Sequence, residues 1–343
     1  MTDDRRHFLK GAAAGGAAIS MLTTHSQLAA ADVQRRTKLP REVTIATLCQ
    51  AGIQTKTMQQ MIERLIGMLD EAAHMQPDIV CLPETFHRMN VSQPEASIQE
   101  AARSGVDGLA EPLAKWAADN RCYVICPIHT RDSLGCYNSA IVIDRNGGYV
   151  GEYRKSHATT SEMDGGVKPG SLKTPVFETD FGKIGIQICF DIQWDDGWRN
   201  LRDQGAEIVF WPSAFGGGQM VNTRAWQNQY AVVSSTAKGT SKICDIDGAE
   251  LATTNHWQRW VSATINLEKS FMHTWPYVQQ FPAILRKYGS AIRINSYADE
   301  EWSIIESLSP ELKVADVMRE FGLKTIREHL AIADQMQCDV RGS

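Results

Sequence analysis

The feature that most constrains the fold is a faint internal repeat, in which two apolar runs flank an amphipathic stretch and the second run ends at proline. The runs are 44–49 (TIATLC) and 77–83 (PDIVCLP) in the first half, then 185–189 (GIQIC) and 205–212 (GAEIVFWP) in the second. Each half predicts a β-α-β unit. Two such units favour an α/β fold with the exits of both strand pairs at one edge, where α/β sheets bind ligands.

Spacing and composition predict the rest of the chain. Residues 56–75 have the apolar spacing of a helix, and 221–233 favour another. Glycine and proline residues within 156–174 predict a loop. From about residue 295 the chain has a Ser-Pro helix-start signal at 309–310, which predicts a helix-rich tail. Because 43% of the residues are hydrophobic, the chain can bury a full core.

The N-terminal segment has the residue order typical of an export signal. Arg5 and Arg6 precede an uncharged stretch, 11–22, and an alanine triplet at 29–31 has the pattern of a cleavage site. The arginine pair predicts the twin-arginine export machinery as a partner, with delivery to the periplasm or the extracellular space. The uncharged stretch is too short and too weakly apolar for a membrane span. We therefore expect residues 1–31 to be a signal peptide, separate from the fold.

Charge and cysteine content argue against several classes of function. The formal net charge is -5 and no long run of lysines or arginines occurs, which argues against a nucleic-acid partner. The eight cysteines have the spacing of neither a disulfide framework nor a CxxC metal site, so no metal is expected. Most of them lie in apolar strand patterns, and the twin-arginine route carries folded proteins. We therefore expect buried free thiols, with Cys189 as the exception.

Three reactive side chains occur at or near the ends of predicted strands. Cys189 ends the run 183–189, and Glu84 follows the run 78–82. A thiol at a strand exit can lie near backbone N–H groups that stabilise an oxyanion. Taken singly, each residue has a simpler interpretation: a buried core cysteine, a helix-capping glutamate and, for Lys155, a solvated surface lysine. The individual residues leave these alternatives open.

Four motifs in one order make the chain resemble the nitrilase, or carbon–nitrogen hydrolase, superfamily. They are 82–85 (LPET), 153–157 (YRKSH), 188–191 (ICFD) and 205–214 (GAEIVFWPSA). The resemblance implies an α/β fold of the four-layer αββα sandwich type, with the hydrolase domain over 41–294 and a helical C-terminal extension over 295–343. It also implies a homodimer or higher homo-oligomer and a small-molecule, amide-type substrate.

The same resemblance implies a catalytic triad of Glu84, Lys155 and Cys189. Glu84 would be the general base and Cys189 the nucleophile that forms a thioester. Lys155 and the backbone N–H of Phe190 would stabilise the oxyanion. Relatives often have a further glutamate after the lysine, and Glu162 is the candidate for an additional catalytic residue. The implied reaction hydrolyses a linear amide or ureido group to a carboxylic acid and ammonia or an amine, and it needs no cofactor.

Departures from the family pattern bear on the substrate. Ile192 and Gln193 occupy positions where relatives that hydrolyse N-carbamoyl-D-amino acids have arginines, which argues against that substrate class. Gln227 replaces the acid of a common Arg-Ala-x-Glu-Asn motif, which puts an ion pair behind the site in doubt. A nitrilase that converts a nitrile to an acid remains an alternative. A non-catalytic member that acts as a binding scaffold is a second alternative.

Aromatic side chains near the predicted edge are candidates for a substrate pocket. Trp211, Phe86 and Trp194 lie close to the strand exits that carry the triad. Large apolar side chains at such positions are also common in the core. The sequence favours Trp211 as the pocket residue without excluding a core position for each of the three.

Overall fold

The computed structural model describes residues 37–94, 96–103 and 105–342. The signal peptide predicted over 1–31 lies outside these residues. No helix in the described part of the chain is long and apolar enough to cross a membrane.

Sixteen strands lie in the described residues. In chain order they are β1 (Glu42–Leu48), β2 (Ile79–Cys81), β3 (Tyr123–Asp132), β4 (Gly135–Ile143), β5 (Tyr149–Arg154), β6 (Val167–Lys168), β7 (Val176–Glu178), β8 (Lys183–Ile186), β9 (Ile208–Ser213), β10 (Ala231–Thr236), β11 (Lys242–Cys244), β12 (Glu250–Thr253), β13 (Trp260–Asn266), β14 (Lys269–His273), β15 (Ile292–Tyr297) and β16 (Trp302–Ser307).

The strands form three sheets, and each of the two large sheets contains three neighbouring parallel strands. The first has the order β13-β1-β2-β3-β4-β5, with β6 paired to β4, and the second has the order β12-β11-β10-β9-β8-β7. In the first, β1, β2 and β3 are parallel, and in the second β8, β9 and β10 are parallel. The repeat in the sequence corresponds to β1–β2 and β8–β9. A third sheet, β14-β16-β15, follows them.

Nine α-helices lie in the described residues. They are α1 (Met58–Ala73), α2 (Ile98–Ala101), α3 (Glu111–Asn120), α4 (Thr160–Asp164), α5 (Asp196–Asp203), α6 (Gln219–Asn228), α7 (Phe281–Tyr288), α8 (Val314–Glu320) and α9 (Ile326–Arg341). The helix predicted over 56–75 is confirmed as α1. It begins at a capping box between Thr57 and Gln60, which satisfies free N–H groups of the first turn.

The core has three layers of apolar contacts, which confirms the predicted αββα sandwich. The inner layer lies between the two large sheets and includes Ile45 of β1 and Phe210 of β9. One outer layer packs α1 and α3 against the first sheet, through residues such as Leu65. The other packs α5 and α6 against the second sheet, through residues such as Val221. Burial of each such side chain contributes about 1.5–3 kcal/mol.

Three local predictions need correction. The loop predicted over 156–174 contains α4, because Thr159 and Glu162 form a capping box that starts a helical turn. The helix predicted over 221–233 ends at residue 228, because the next residue, Gln229, has a left-handed φ of 54° and the chain then enters β10.

The tail begins with strands rather than helices. The segment after residue 292 forms β15 and β16, and only the part after 314 is helical, as α8 and α9. The proposed boundary after residue 294 therefore falls inside β15. Ile304 and Ile305 of β16 are buried on opposite faces of a sheet, in two different core clusters, so this segment lacks the simple one-sided alternation of a strand at the surface.

Candidate active site

Glu84 lies at the exit of β2, three residues after the strand ends at Cys81. Its side chain is 3% exposed and its carboxylate accepts three hydrogen bonds. Oε1 accepts from Nζ of Lys155 at 2.9 Å and from Nδ2 of Asn138 at 2.8 Å, and Oε2 accepts from the backbone N–H of Ala214 at 2.7 Å. The last contact joins the exit of β2 in one sheet to the exit of β9 in the other.

Lys155 lies directly after β5 and is buried, not solvated. Its backbone N–H donates to the carbonyl of Asn138 on β4 at 2.8 Å, which fixes the start of the side chain. Its Nζ donates to Glu84 and, at 2.8 Å, to Oε2 of Glu162. Burial alone would lower the pKa of Lys155, but the charges of Glu84, Cys189 and Glu162 outweigh it and raise that pKa above its ordinary value.

Glu162 lies in the first turn of α4 and reaches the same cluster. Oε1 accepts from Nδ2 of Asn138 at 2.7 Å, and Oε2 accepts from Lys155 and from the backbone N–H of Thr159 at 2.8 Å. Burial alone would raise the pKa of Glu162, but Lys155, Asn138 and the Thr159 N–H lower it below its ordinary value. Two carboxylates are therefore bridged by one ammonium and one amide group.

Cys189 occupies a sharp turn three residues after β8 ends. Its φ is +46°, in the left-handed region that residues with a Cβ rarely adopt, at a cost of about 1–2 kcal/mol. The carbonyl of Cys189 accepts a hydrogen bond from Nε1 of Trp211 at 3.0 Å, which holds the turn from below. The strained backbone of Cys189, held by the Trp211 hydrogen bond, places the thiol at the strand exit. The residue is 8% exposed.

The thiol of Cys189 is protonated in the resting site. Burial and the neighbouring charge of Glu84 raise the pKa of Cys189 to about 12, and a hydrogen bond with Glu84 acts in the same direction. Lys155 and the Ala214 N–H oppose this effect without cancelling it. The three residues predicted as a triad thus come together as a neutral thiol beside a carboxylate that is paired with an ammonium.

Asp191 holds the turn after Cys189, and the sequence reasoning did not identify it. Its carboxylate is fully buried and accepts from the backbone N–H of Ile188 at 2.9 Å, the hydroxyl of Tyr153 at 2.7 Å and the backbone N–H of His157 at 2.8 Å. Oδ1 also lies 3.0 Å from Nδ1 of His157, and this hydrogen bond raises the pKa of His157.

Asn138 was also missed. It lies within β4, just before the apolar run 140–143, and an amide in such a buried strand is the available signal, since a buried amide needs partners. In the folded protein its side-chain amide lies between Glu84 and Glu162 and donates a hydrogen bond to each.

The three aromatic pocket candidates have different environments. Phe86 and Trp211 are fully buried, Phe86 in the layer between the helices and the first sheet and Trp211 in the layer below the second sheet. Trp194 is 39% exposed and stacks on His157 with ring centroids 4.1 Å apart. Phe190, the residue after Cys189, meets Trp194 edge-on at 4.9 Å.

Six of the seven other cysteines agree with the expectation of buried free thiols, and Cys338 does not. All eight lie in the described residues and none forms a disulfide there. Seven are buried, and Cys338 on α9 is partly exposed. Burial raises the pKa of Cys81, Cys122 and Cys126, which keeps these thiols protonated and unreactive.

The described residues contain no group of three or more His, Cys, Asp or Glu side chains placed to hold a metal ion. At the candidate site, the positive charge between the two carboxylates comes from Lys155 itself.

The family model for carbon-nitrogen hydrolases matches residues 45–270. The chain belongs to the carbon-nitrogen hydrolase family. A second model, for the twin-arginine translocation pathway signal sequence, matches residues 4–21. This carbon-nitrogen hydrolase is therefore exported by the twin-arginine route to the periplasm or the extracellular space, as the arginine pair predicted.

Known members of the superfamily resemble this hydrolase at low identity. A nitrilase from Pyrococcus abyssi is 30% identical over 147 residues, which cover 43% of this chain and 55% of that protein. The chain thus spans about half the length of that relative. Deaminated glutathione amidase from Mus musculus is 25% identical over 223 residues, covering 58% of this chain and 67% of that protein.

A solved structure supports the fold. An amidase of the nitrilase superfamily from Nesterenkonia aligns with a TM-score of 0.58 at 16% identity, over 74% of this hydrolase and 99% of that chain. Another structure of that amidase carries the acetamide moiety of fluoroacetamide on its active-site cysteine.

Proposed function

We propose that this carbon-nitrogen hydrolase cleaves a linear amide or ureido group through a thioester on Cys189. The observation that carries the proposal is the position of one buried carboxylate, Glu84, which is paired with the Lys155 ammonium and lies beside the Cys189 thiol. A base, a cation and a nucleophile are the groups that acyl transfer requires.

The first half of the reaction is acylation. Because the pKa of Cys189 is raised to about 12, the thiol keeps its proton until the substrate is attacked, and Glu84 takes that proton as the S–C bond forms. The carbonyl oxygen gains negative charge and is stabilised by Lys155, whose raised pKa keeps it charged, and by the backbone N–H of Phe190. Glu84 then gives its proton to the leaving nitrogen, and ammonia or an amine departs.

The second half is hydrolysis of the thioester. Glu84, again a carboxylate, takes a proton from water, whose oxygen attacks the thioester carbon. The C–S bond breaks, a carboxylic acid is released and the proton returns to the Cys189 sulfur. Glu84 is the residue that accepts and returns the proton in both halves of this scheme.

Glu162 acts on the position and charge of Lys155. It shares both the Lys155 ammonium and the Asn138 amide with Glu84, so the two carboxylates hold the ammonium between them. In this scheme Glu162 is a positioning residue whose carboxylate stays ionised, because Lys155 lowers its pKa.

Trp194 forms one wall of the proposed substrate pocket. It is the partly exposed member of the three aromatic candidates, and its stack on His157 ties it to Asp191 and thus to the turn that bears Cys189. A flat, partly exposed indole favours an apolar or planar acyl group. Trp211 supports the cysteine turn from the core through its hydrogen bond to the Cys189 carbonyl.

The experiment is a comparison of ammonia release from aliphatic amides, ureido acids and nitriles, with Cys189→Ser as control. We expect release from an amide or ureido acid, and loss of the thioester in Cys189→Ser. A nitrilase is the second candidate because the Pyrococcus abyssi relative bears that name. Ammonia from nitriles but not from amides would establish the nitrilase and overturn the amidase.

A labelling experiment tests whether the chain is an enzyme or a scaffold. We expect a small electrophilic amide to label Cys189 in preference to the other seven cysteines, because Glu84 lies beside that thiol and can take its proton. Cys338→Ser removes the partly exposed thiol as a competitor. Labelling spread evenly over the cysteines would support the non-catalytic alternative.

We propose in addition that the exported protein is a homodimer, on the basis of the family resemblance. Sedimentation of the exported form measures this directly. A clean monomer at micromolar concentration would contradict it.

A further inference from the structure

We propose that an open cavity beside the N-terminus of α1 binds a small molecule with two or more anionic groups, carboxylates or phosphates. The cavity has a volume of about 1100 Å³. Its wall comprises the loops at 52–56 and 90–92, Gln60 and Arg64 of α1, and Arg259 of the turn before β13. None of these residues takes part in the proposed hydrolysis, so this site goes beyond that function.

The wall carries three cations and no acid. Lys56, Arg64 and Arg259 belong to three separate segments of the chain. Within the described residues no carboxylate pairs with any of them, whereas Lys242 and Lys269 elsewhere each contact a carboxylate. Three unpaired positive charges around one cavity attract a polyanion more strongly than a monoanion, because each anionic group gains its own partner.

Arg259 is held in position by the backbone and by a glycine. Its carbonyl accepts a hydrogen bond from the N–H of Cys49 at 2.7 Å. Its guanidinium lies against Gly52, where a Cβ would be only 3.1 Å from the nearest guanidinium nitrogen. Gly52 also has a φ of +73°, which favours glycine. The turn thus leaves room for a guanidinium at the wall of the cavity.

The two loops of the wall are joined by backbone hydrogen bonds. The N–H of Thr55 donates to the carbonyl of Asn90 at 3.2 Å, and the N–H of Ser92 donates to the carbonyl of Thr55 at 3.1 Å. The cavity also receives the N-terminal end of α1, a 16-residue helix whose dipole adds partial positive charge there. The three cations and the helix dipole make the site positive, and the hydrogen-bonded loops hold its wall in place.

Calorimetric titration with pyrophosphate and, separately, with citrate tests the proposal. We expect one-to-one binding of at least one probe, and the stronger probe tells whether the site prefers phosphates or carboxylates. Arg64→Gln and Arg259→Gln should each weaken binding about tenfold, by loss of one charge-assisted contact. Arg286→Gln on α7, an exposed arginine without an ion pair in the described structure, is the matched control and should leave affinity unchanged.

Gln60→Glu changes the charge of the wall while keeping the fold. Oε1 of Gln60 accepts from the N–H of Lys56 at 3.1 Å, and a glutamate at this third helical position preserves that bond. We expect unchanged thermal stability and weakened probe binding. Absence of saturable binding, or equal weakening by Arg286→Gln, would overturn the proposal. Loss of binding in Cys189→Ser would also overturn it, since the probe would then occupy the active site; retained binding in that inactive variant separates the two sites.

Discussion

Lys155 and Glu84 form an ion pair of 2.9 Å in which both side chains are almost completely buried, at 2% and 4% exposure. Glu162 contacts the same ammonium from a third segment of the chain. Because two charges are removed from water together, the pair is costly to break rather than strongly stabilising. The cluster therefore makes the fold depend on the residues that we propose for the chemistry.

Lys155→Met should destabilise the protein by about 3–5 kcal/mol, because it leaves two buried carboxylates without their cation. We expect the midpoint of urea unfolding to fall and activity to be lost. Lys115→Met provides the control, since Lys115 forms a surface pair with Asp119 at 2.5 Å and should change stability by less than about 1 kcal/mol. Equal stability of the two variants would show that the buried cluster tolerates a missing charge.

Glu84→Gln should separate catalysis from stability. Glutamine keeps the size of the side chain, but its single oxygen can accept either from Lys155 and Asn138 or from the Ala214 N–H, and it cannot take the thiol proton. Lys155 keeps its pairing with Glu162 in this variant. We expect kcat to fall about 10²–10⁴-fold, with a much smaller change in KM. Steady-state kinetics on the best amide or ureido substrate measure this. A variant with near-normal kcat would assign the base to another group.

The sequence predicted that Glu84 and Cys189 lie at one edge of the sheets, but it did not predict the side-chain contacts at that edge. Glu84 and Cys189 follow apolar runs, and because parallel strands end at one edge, the pattern alone placed both at the rim. Lys155 required the family motif, since the buried carboxylate that pairs with it, Glu84, is distant in the chain. Asn138 and Asp191 were missed for the same reason: their partners come from β2, α4, β5 and the loop after it.

The aromatic residues show a second limit. Phe86, Trp194 and Trp211 all lie near strand exits, yet two are buried and one is partly exposed. Side chains alternate between faces along a strand, so a shift of one residue moves a side chain from one face of the sheet to the other. Trp211 lies within β9 and is directed to the helix side, while Trp194 follows the turn after Cys189. Whether each aromatic side chain is buried depends on where the neighbouring strand ends, and the spacing of apolar residues in the sequence does not fix that end.

Asp191→Asn should change the pH dependence of stability through His157. The hydrogen bond to Asp191 raises the pKa of His157, so its stabilising contribution is complete below the ordinary pKa of about 6.5 and is lost as pH rises through the raised folded value. We expect the free energy of unfolding of the variant to fall less steeply as pH rises from about 6.5 through the raised pKa of His157. Urea unfolding between pH 5 and pH 9, with NMR titration of His157, measures both quantities. An unchanged His157 pKa in the variant would contradict this account.

The left-handed backbone of Cys189 predicts an unusual order of stability between two inactive variants. Alanine is ordinarily more stable than glycine by about 0.5–1 kcal/mol, because glycine loses more conformational freedom on folding. At a φ of +46° an alanine still bears the cost of about 1–2 kcal/mol that its Cβ imposes, while glycine does not. Cys189→Gly should therefore be at least as stable as Cys189→Ala in urea unfolding. The same two substitutions at Cys126, a buried position within β3, provide the control, and there glycine should be the less stable. If glycine were the less stable at both positions by the same amount, the turn at Cys189 would hold no strain.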